Sequence, residues 1–386
     1  MTVELLSANH AAALAATLAG RANRKGRGFV SGVYPITPST ECMEFLCQQK
    51  FDKGRVVRVE SEHSAMGACI GAASAGARTF TATSSNGLAY MYENCIAAAM
   101  LRLPVVMAVA NRTLGPPWNI WADHGDALTL RDHGLVQFYC ADKQELFDSV
   151  LMAFRLAEDR RVMMPVMVNM EGFILSHTVA QTNVPDQGLV DDFLPPADIP
   201  HRMDHAAHTL GQIEIPHQTE MHRWQHHQAM LGVPKVYEEV QGEFEKVFAR
   251  KLADAVEAYR AEDADTLIVS MGTIGLTAMR VVDAAREMGQ RVGAVRVRLY
   301  RPLPAETIAA LVAGRKAVAV VDRDISLGTG GILWQDVRAL AAGATVVQSY
   351  MAGVGGGDVR PEHIAKMLAD LAPRKTAGAP AVMEAV

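Results

Sequence analysis

From Phe29 onward, short runs rich in β-branched residues alternate with longer stretches rich in alanine and glycine. The runs fall at residues 29–34, 56–59, 79–83, 104–108, 135–139 and 162–168. Parallel strands cannot be joined by a tight hairpin and need a crossover of about a dozen residues, so this spacing predicts a parallel α/β sheet. The crossover helices are expected at residues 61–76, 87–101 and 143–159. The first of these carries Ala65, Gly67, Ala68, Gly71, Ala72, Ala73 and Ala75, almost without side-chain bulk. Such a helix lets another backbone or a ligand come close, although tight packing on its own sheet accounts for it equally.

The pattern changes after His177. Residues 179–230 carry prolines and little periodicity, and seven of the thirteen histidines lie between His201 and His227, so a long connector or arm is expected. His222 and His226 are four residues apart and could share a helix face, but Arg223 follows His222 and the H-E-x-x-H pattern is absent. Helical periodicity resumes over residues 237–260 with Val240, Phe244, Val247, Phe248 and Leu252 as its stripe. A second α/β unit follows, with strands expected at 266–271, 292–297, 317–321 and 345–349. The expected organisation is therefore a sheet domain over residues 1–178, a histidine- and proline-rich connector over 179–236, and a second α/β domain over 237–386 with its leading helix.

Composition narrows the chemistry. Lys and Arg total 37 against 42 Asp and Glu, and no long basic run appears, so neither nucleic acid nor an anionic membrane is the expected partner. The five cysteines, Cys42, Cys47, Cys69, Cys95 and Cys140, form no C-x-x-C pair, so no iron–sulfur, structural zinc or disulfide framework is expected in this chain. The apolar stretch at residues 11–19 has basic residues after it rather than before it, the reverse of a secretory signal, and the expected location is the cytoplasm. The turn Met271-Gly272-Thr273-Ile274-Gly275 sits where dinucleotide enzymes bind phosphates but lacks the G-x-G-x-x-G spacing. The cluster Gly353, Gly355, Gly356, Gly357 reads as a flexible turn.

Three groups follow successive strands of the first sheet. Tyr34-Pro35-Ile36-Thr37-Pro38-Ser39-Thr40 fixes the backbone around Thr37 with two prolines, where open α/β sheets bind ligands. Ser39 or Thr40 could also simply cap the next helix. Glu62 stands at the first turn of the bulk-free helix, a position that also suits a carboxylate for its dipole alone. Arg112 follows the 104–108 strand, and its planar fork suits a substrate carboxylate.

Several of these motifs together resemble the alpha subunit of the 2-oxoacid:ferredoxin oxidoreductases, the pyruvate synthase group. They are Tyr34 to Ser39, Ser61-Glu62, Asn111-Arg112, Asn119-Ile120-Trp121-Ala122-Asp123-His124 with Asp126, and Glu171-Gly172-Phe173-Ile174-Leu175-Ser176-His177. Val297-Arg298-Leu299-Tyr300-Arg301-Pro302 and Val321-Asp322-Arg323 resemble the same family's second domain. The resemblance implies a pyrimidine-binding-type domain of thiamine enzymes followed by a transketolase C-terminal-like domain. It implies oxidative decarboxylation of a 2-oxoacid to an acyl-coenzyme A, with thiamine diphosphate as cofactor and electrons passing to iron–sulfur clusters.

By the same resemblance, Glu62 bonds the aminopyrimidine ring nitrogen, with Pro35 and Ile36 beside the cofactor, and Thr37 and Arg112 hold the keto group and carboxylate of the oxoacid. No G-D-G segment occurs, Gly125-Asp126-Ala127 and Gly357-Asp358-Val359 being the nearest approaches. A beta subunit is therefore expected to supply the diphosphate and Mg²⁺ half of the site, with no metal held here, and gamma and ferredoxin-like subunits to carry the clusters. Trp118 or Trp121, if it lines the pocket, favours an aromatic oxoacid such as phenylglyoxylate over a pyruvate-like one; Trp118 in an interface or core is the plainer reading. Other functions left open are a non-catalytic assembly subunit and a nicotinamide-binding dehydrogenase centred on Gly272 and Gly275.

Overall fold

A computed structural model describes residues 2–203 and 209–383. The strands of the N-terminal part are β1 (Thr2–Ser7), β2 (Phe29–Val33), β3 (Gly54–Arg58), β4 (Arg78–Thr83), β5 (Val105–Asn111), β6 (Val136–Tyr139), β7 (Val166–Glu171) and β8 (Val179–Val184). The C-terminal part adds β9 (Val256–Tyr259), β10 (Thr266–Ser270), β11 (Val292–Val297), β12 (Leu299–Arg301), β13 (Ala317–Asp322), β14 (Val346–Ala352) and β15 (Ala381–Met383).

Seven strands form the first sheet in the order β12-β6-β7-β5-β4-β2-β3, parallel except for the edge strand β12. Six form the second in the order β15-β14-β13-β10-β11-β9, parallel except for β9. All six β-branched runs expected from the sequence are strands of the first sheet. Its central strands β4, β5 and β7 are buried along their whole length, as a sheet covered on both faces requires.

Helices α1 (Ala8–Ala22), α2 (Thr40–Cys47), α3 (Glu62–Ser74), α4 (Ser85–Tyr90), α5 (Tyr92–Met100), α6 (Gly125–Leu128) and α7 (Lys143–Ala157) serve the first sheet. The helix expected at 87–101 is broken at Met91 into α4 and α5. Helix α1 buries nearly every side chain, and its alanines let it lie closely on α7 and α2. Burial of a large side chain such as Phe29, Phe80 or Phe154 contributes about 1.5–3 kcal/mol each.

Residues 179–236 are more structured than a connector. β8 pairs antiparallel with β1, α8 (Gln187–Phe193) follows, and α9 (Pro216–Phe248) runs unbroken across the expected boundary at 236. The helix expected at 237–260 thus starts earlier and ends at Phe248, where Ala249 adopts a left-handed conformation. Half of α9 gives no apolar period because it faces solvent: only His226 is buried before Val233. His222 bonds Glu214 at 2.5 Å and His226 bonds the Gly134 carbonyl at 3.1 Å, so the two rings serve different partners. His205 and His208 lie outside the described residues.

The two halves are welded together. β12, from the C-terminal part, pairs with β6 of the first sheet, and one core cluster joins Leu88, Met91 and Cys95 to Leu267, Val269 and Trp334. A buried ion cluster seals the joint. Glu171, at the end of β7, accepts from His124 Nε2 at 3.1 Å, from the Thr273 amide at 3.3 Å and from its hydroxyl, and faces Arg323 at 3.4 Å. Burial alone would raise this carboxyl, but Arg323, His124 and Thr273 outweigh burial and hold it down at about 2. Glu171 therefore fills the Gly272–Thr273 turn at the start of α10 (Thr273–Glu287), the place a dinucleotide phosphate would need. The nicotinamide-binding reading falls on that contact. No helix among the described residues is long and apolar enough to cross a membrane.

Candidate active site

In an open α/β sheet the loops at the carboxyl ends of the strands share one edge, and the three sequence candidates all lie there. Thr37 follows β2, Glu62 follows β3, and Arg112 directly follows β5. The intervening strand β4 leads through Ser84 into the first turn of α4, Ser85-Asn86-Gly87.

Arg112 is 8% exposed, and its guanidinium is held by backbone carbonyls: Nη1 donates to Thr37 O at 2.7 Å and Nε to Asn119 O at 3.1 Å. Among the described residues no carboxylate pairs with this guanidinium. Burial pulls its pKa down, with the Asp126 charge opposing. A fixed, partly desolvated cation lacking an anionic partner is ready to take one. Thr37 itself is exposed at the turn, with a carbonyl engaged by Arg112 and a hydroxyl free of hydrogen bonds among the described residues.

Pro35 is exposed and Ile36 half-buried. Ser39 does not cap α2; its hydroxyl donates to Ile36 O at 3.0 Å and so stiffens the turn from within. Behind the turn, Tyr34 and Pro35 line a cavity of about 560 Å³ with Met43, Cys47 and Arg58.

Glu62 opens α3, with Ser61 as the N-cap accepting from the Ser64 amide at 3.2 Å. The Glu62 side chain is 6% exposed and receives no side-chain donor among the described residues. Burial raises its pKa, against its own backbone N–H. The reason for the close fit lies on α4: a Cβ placed on Gly87 would stand 2.5 Å from Glu62 Oε1 and 2.7 Å from Thr83 Oγ1. Thr83 Oγ1 is itself buried without a partner. A carboxyl and a hydroxyl thus converge on a recess that exists because residue 87 lacks a side chain.

Three further residues belong to the same edge and were not singled out as candidates from sequence. Gly87 is one. Ser85 is another, a non-glycine residue at φ 47° whose hydroxyl bonds Thr113 O. The third is Asp126 on α6, fully buried, which binds both the Ser85 and the Arg112 amides. Its pKa is pushed up to about 7 by burial, opposed by hydrogen bonds from Asn111, Arg112, Ser85 and Ala127. In the sequence Asp126 stood out only as part of the motif that carries the family resemblance and as a failed match to G-D-G, with no role attached.

The C-terminal half reaches this edge through its glycines. Asn119 Nδ2 donates to Gly355 O at 3.1 Å, and a side chain on Gly356 would collide with Trp121. The 353–357 cluster is therefore a close-approach surface rather than a merely flexible turn, with Gly353 tied to Arg323 Nη1 at 2.8 Å. Trp121 packs against Phe173 with the rings tilted and their centroids 4.5 Å apart, whereas Trp118 is 69% exposed, which excludes the core for it within this chain.

Two joined parallel α/β units, the first with a buried glutamate and a buried arginine at the carboxyl edge of its sheet, are the arrangement expected above from the resemblance to thiamine enzymes. Comparison with known proteins agrees. Residues 22–242 match the family described as pyruvate flavodoxin/ferredoxin oxidoreductase, thiamine diphosphate-binding, and residues 264–364 match pyruvate:ferredoxin oxidoreductase core domain II. The pyruvate synthase subunit PorA of Methanothermobacter thermautotrophicus is 42% identical over 372 residues, covering 95% of both chains. The ketoisovalerate oxidoreductase subunit VorA of Pyrococcus abyssi is 37% identical over 95% of this chain and 93% of its own.

Among solved structures, the 2-oxoglutarate:ferredoxin oxidoreductase of Magnetococcus marinus shares the fold with a TM-score of 0.70 at 21% identity; 95% of this chain matches, spanning 65% of that longer chain. Transketolase of Campylobacter jejuni matches with a TM-score of 0.52 at 12% identity, over 89% of this chain and 42% of that one. The chain belongs to the 2-oxoacid:ferredoxin oxidoreductase family, as an alpha-type subunit of an oxidoreductase that acts in complex.

Proposed function

We propose that this chain supplies the aminopyrimidine-facing and oxoacid-facing half of a thiamine diphosphate site, in a complex that converts a 2-oxoacid and coenzyme A to acyl-CoA and CO₂. The observation that carries this reading is the Glu62 recess: a buried carboxyl with a raised pKa and no side-chain donor beside an unpartnered Thr83 hydroxyl. Such a pair fits a ring nitrogen and a polar substituent, and Pro35 and Ile36 stand on the neighbouring turn. When bound, the cofactor supplies the carbanion chemistry that decarboxylation needs. Glu62 would share a proton with the pyrimidine ring, Arg112 would clamp the oxoacid carboxylate, and the Thr37 hydroxyl would bond its keto oxygen.

A partner is part of the proposal. Along α3, Gly67 and Gly71 are exposed and Ser64, Ala68 and Ala72 half-buried, with exposed Ala75 just past its end, and nothing lies within 4 Å of a Cβ built on Gly71. The bulk-free face is therefore only partly used by the helix's own sheet, which supports a beta subunit bringing the diphosphate and Mg²⁺ half against the helix that begins with Glu62. Gamma and ferredoxin-like subunits would carry the iron–sulfur clusters.

A pyruvate-like substrate stands first because exposed Trp118 offers no wall within this chain. An aromatic oxoacid such as phenylglyoxylate is the second reading, favoured by Trp121, which shares the loop of the Arg112-bound Asn119. The convergence of Thr37, Glu62 and Arg112 on one edge argues against a non-catalytic assembly subunit. Glu62→Gln in the reconstituted complex, assayed with pyruvate, branched and phenyl oxoacids, is the test. Turnover should fall by on the order of a hundredfold with complex assembly unchanged. Near-native turnover would remove Glu62 from the chemistry.

A further inference from the structure

Asp126 is a buried carboxylate to which the proposed chemistry gives no role. We infer that Asp126 is a positioning residue that locks the spacing between the oxoacid clamp and the glutamate recess; the inference rests on the function proposed above.

One carboxylate here ties two loops together. Oδ2 accepts from the Ser85 amide and from the Arg112 amide, each at 2.9 Å. Oδ1 accepts from Asn111 Nδ2 at 2.9 Å and from the Ala127 amide at 2.7 Å. The side chain is 1% exposed, so water cannot replace these bonds. Each loop leads directly to a candidate group. On one side Ser85, held at a positive φ that a serine adopts only under constraint, is two residues from Gly87, whose bare Cα sets the Glu62 carboxylate. On the other side is Arg112, whose guanidinium in turn grips Thr37 O at 2.7 Å. A single continuous chain of contacts thus runs from Glu62 through Gly87, Ser85, Asp126 and Arg112 to Thr37. Asp126 bonds the backbone amides of both loops through one carboxylate, and it does so beside the direct ties that the Ser85 hydroxyl makes to Thr113 O and the Gly115 amide makes to Asn86 Oδ1.

Geometry also specifies which substitution should be tolerated. Asn111 Oδ1 is buried and has no partner. In Asp126→Asn the remaining oxygen keeps the Ser85 and Arg112 amides, the two ties between the loops, while the new amide gives up the Ala127 bond and turning Asn111 to accept from it gives up the Asn169 bond. Asp126→Ala loses all four bonds.

The experiment uses the reconstituted complex with three readouts: steady-state kcat and oxoacid KM, assembly by size, and amide hydrogen exchange of residues 83–88 and 111–114. Asp126→Ala should raise KM and lower kcat, each by on the order of tenfold to a hundredfold, as a displacement of about 1 Å would. It should also speed exchange at both segments, while Asp126→Asn stays within a few-fold of the native values in all three. If Asp126→Ala does not assemble, Asp126→Ser, whose hydroxyl is too short to reach both loop amides, carries the same expectation.

An assembled Ala or Ser variant with native KM, native kcat and native exchange overturns the inference. Lost stability with unchanged KM does so too, since it reduces Asp126 to a structural role. The proposed function fails separately, if Glu62→Gln keeps its turnover; amide exchange at residues 85 and 112 still decides the role of Asp126 in that case.

Discussion

Replacement of Gly87 by alanine isolates the glutamate recess from the stability of the fold. The added Cβ would lie 2.5 Å from Glu62 Oε1, 2.7 Å from Thr83 Oγ1 and 2.9 Å from Glu62 Cδ. Carbon–oxygen contacts settle near about 3.3 Å, so the carboxylate must retreat by about 0.8 Å from its 2.5 Å position. Two of the three colliding atoms belong to the mobile end of a side chain, so the strain is relieved by moving Glu62 rather than the backbone. Folding should barely change: alanine is favoured over glycine inside a helix by about 1 kcal/mol, which offsets the residual crowding.

Catalysis is less forgiving, because a misplacement of about 1 Å costs on the order of a hundredfold, or about 2.7 kcal/mol at the transition state. The expected result in the reconstituted complex is therefore a kcat lower by tenfold to a hundredfold with a melting temperature within about 3 °C of native. Oxoacid-dependent reduction of an artificial one-electron acceptor measures the first, and calorimetry the second. Gly188→Ala is the control, since nothing lies within 4 Å of a Cβ there. A Gly87→Ala complex turning over within twofold of native would refute the argument, as would a loss of activity that merely tracks unfolding.

Two further outcomes test the edges of the site. Arg112→Ala should cost about 2–5 kcal/mol of oxoacid binding, a KM increase of at least about thirtyfold. Arg112→Lys should not restore it, because an ammonium cannot hold Thr37 O, Asn119 O and a substrate carboxylate at once; an unchanged KM in either variant contradicts the clamp. For Glu171, folding lowers the carboxyl from 4.5 to about 2, so its stabilisation is fully present above about pH 5 and is lost as pH falls toward 2. That lowering from 4.5 to about 2 corresponds to roughly 3 kcal/mol, so the gap in melting temperature between native and Glu171→Gln complexes should shrink from pH 6 to pH 3. A gap that stays constant over that range would show that the ion cluster is not what the acid removes.

What could be read from the chain and what could not divides along contact range. β-branched runs and helix-length spacers are local signals, and they located all six of the expected first-sheet strands to within a few residues. Thr37, Glu62 and Arg112 were legible for the same reason: each immediately follows a strand, and parallel topology carries such residues to one edge whatever the tertiary detail. The first half of α9 was illegible because its solvent-facing residues have no apolar period, and Pro234 within it reads as a break. β12 was not expected as a strand, because three residues pairing across a joint have no local signature.

The same physics explains the overlooked site residues. Gly87, Ser85 and Asp126 matter through contacts spanning 14 to 41 positions, and glycine or aspartate beside a short helix looks like ordinary capping until the partner loop is present. The bulk-free helix shows how far a local signal can lead. Its lack of side chains was visible at once, but whether that served its own sheet or an incoming chain depended on which face is covered. Ala65, Cys69 and Ala73 pack inward, while Gly67, Gly71 and Ala75 look out. Small residues on the inner face are what helix-on-sheet packing demands. On the outer face nothing among the described residues lies within 4 Å of a Cβ built on Gly71, and that open, small-residue surface is what supports the proposal of a partner drawn up to the helix that begins with Glu62.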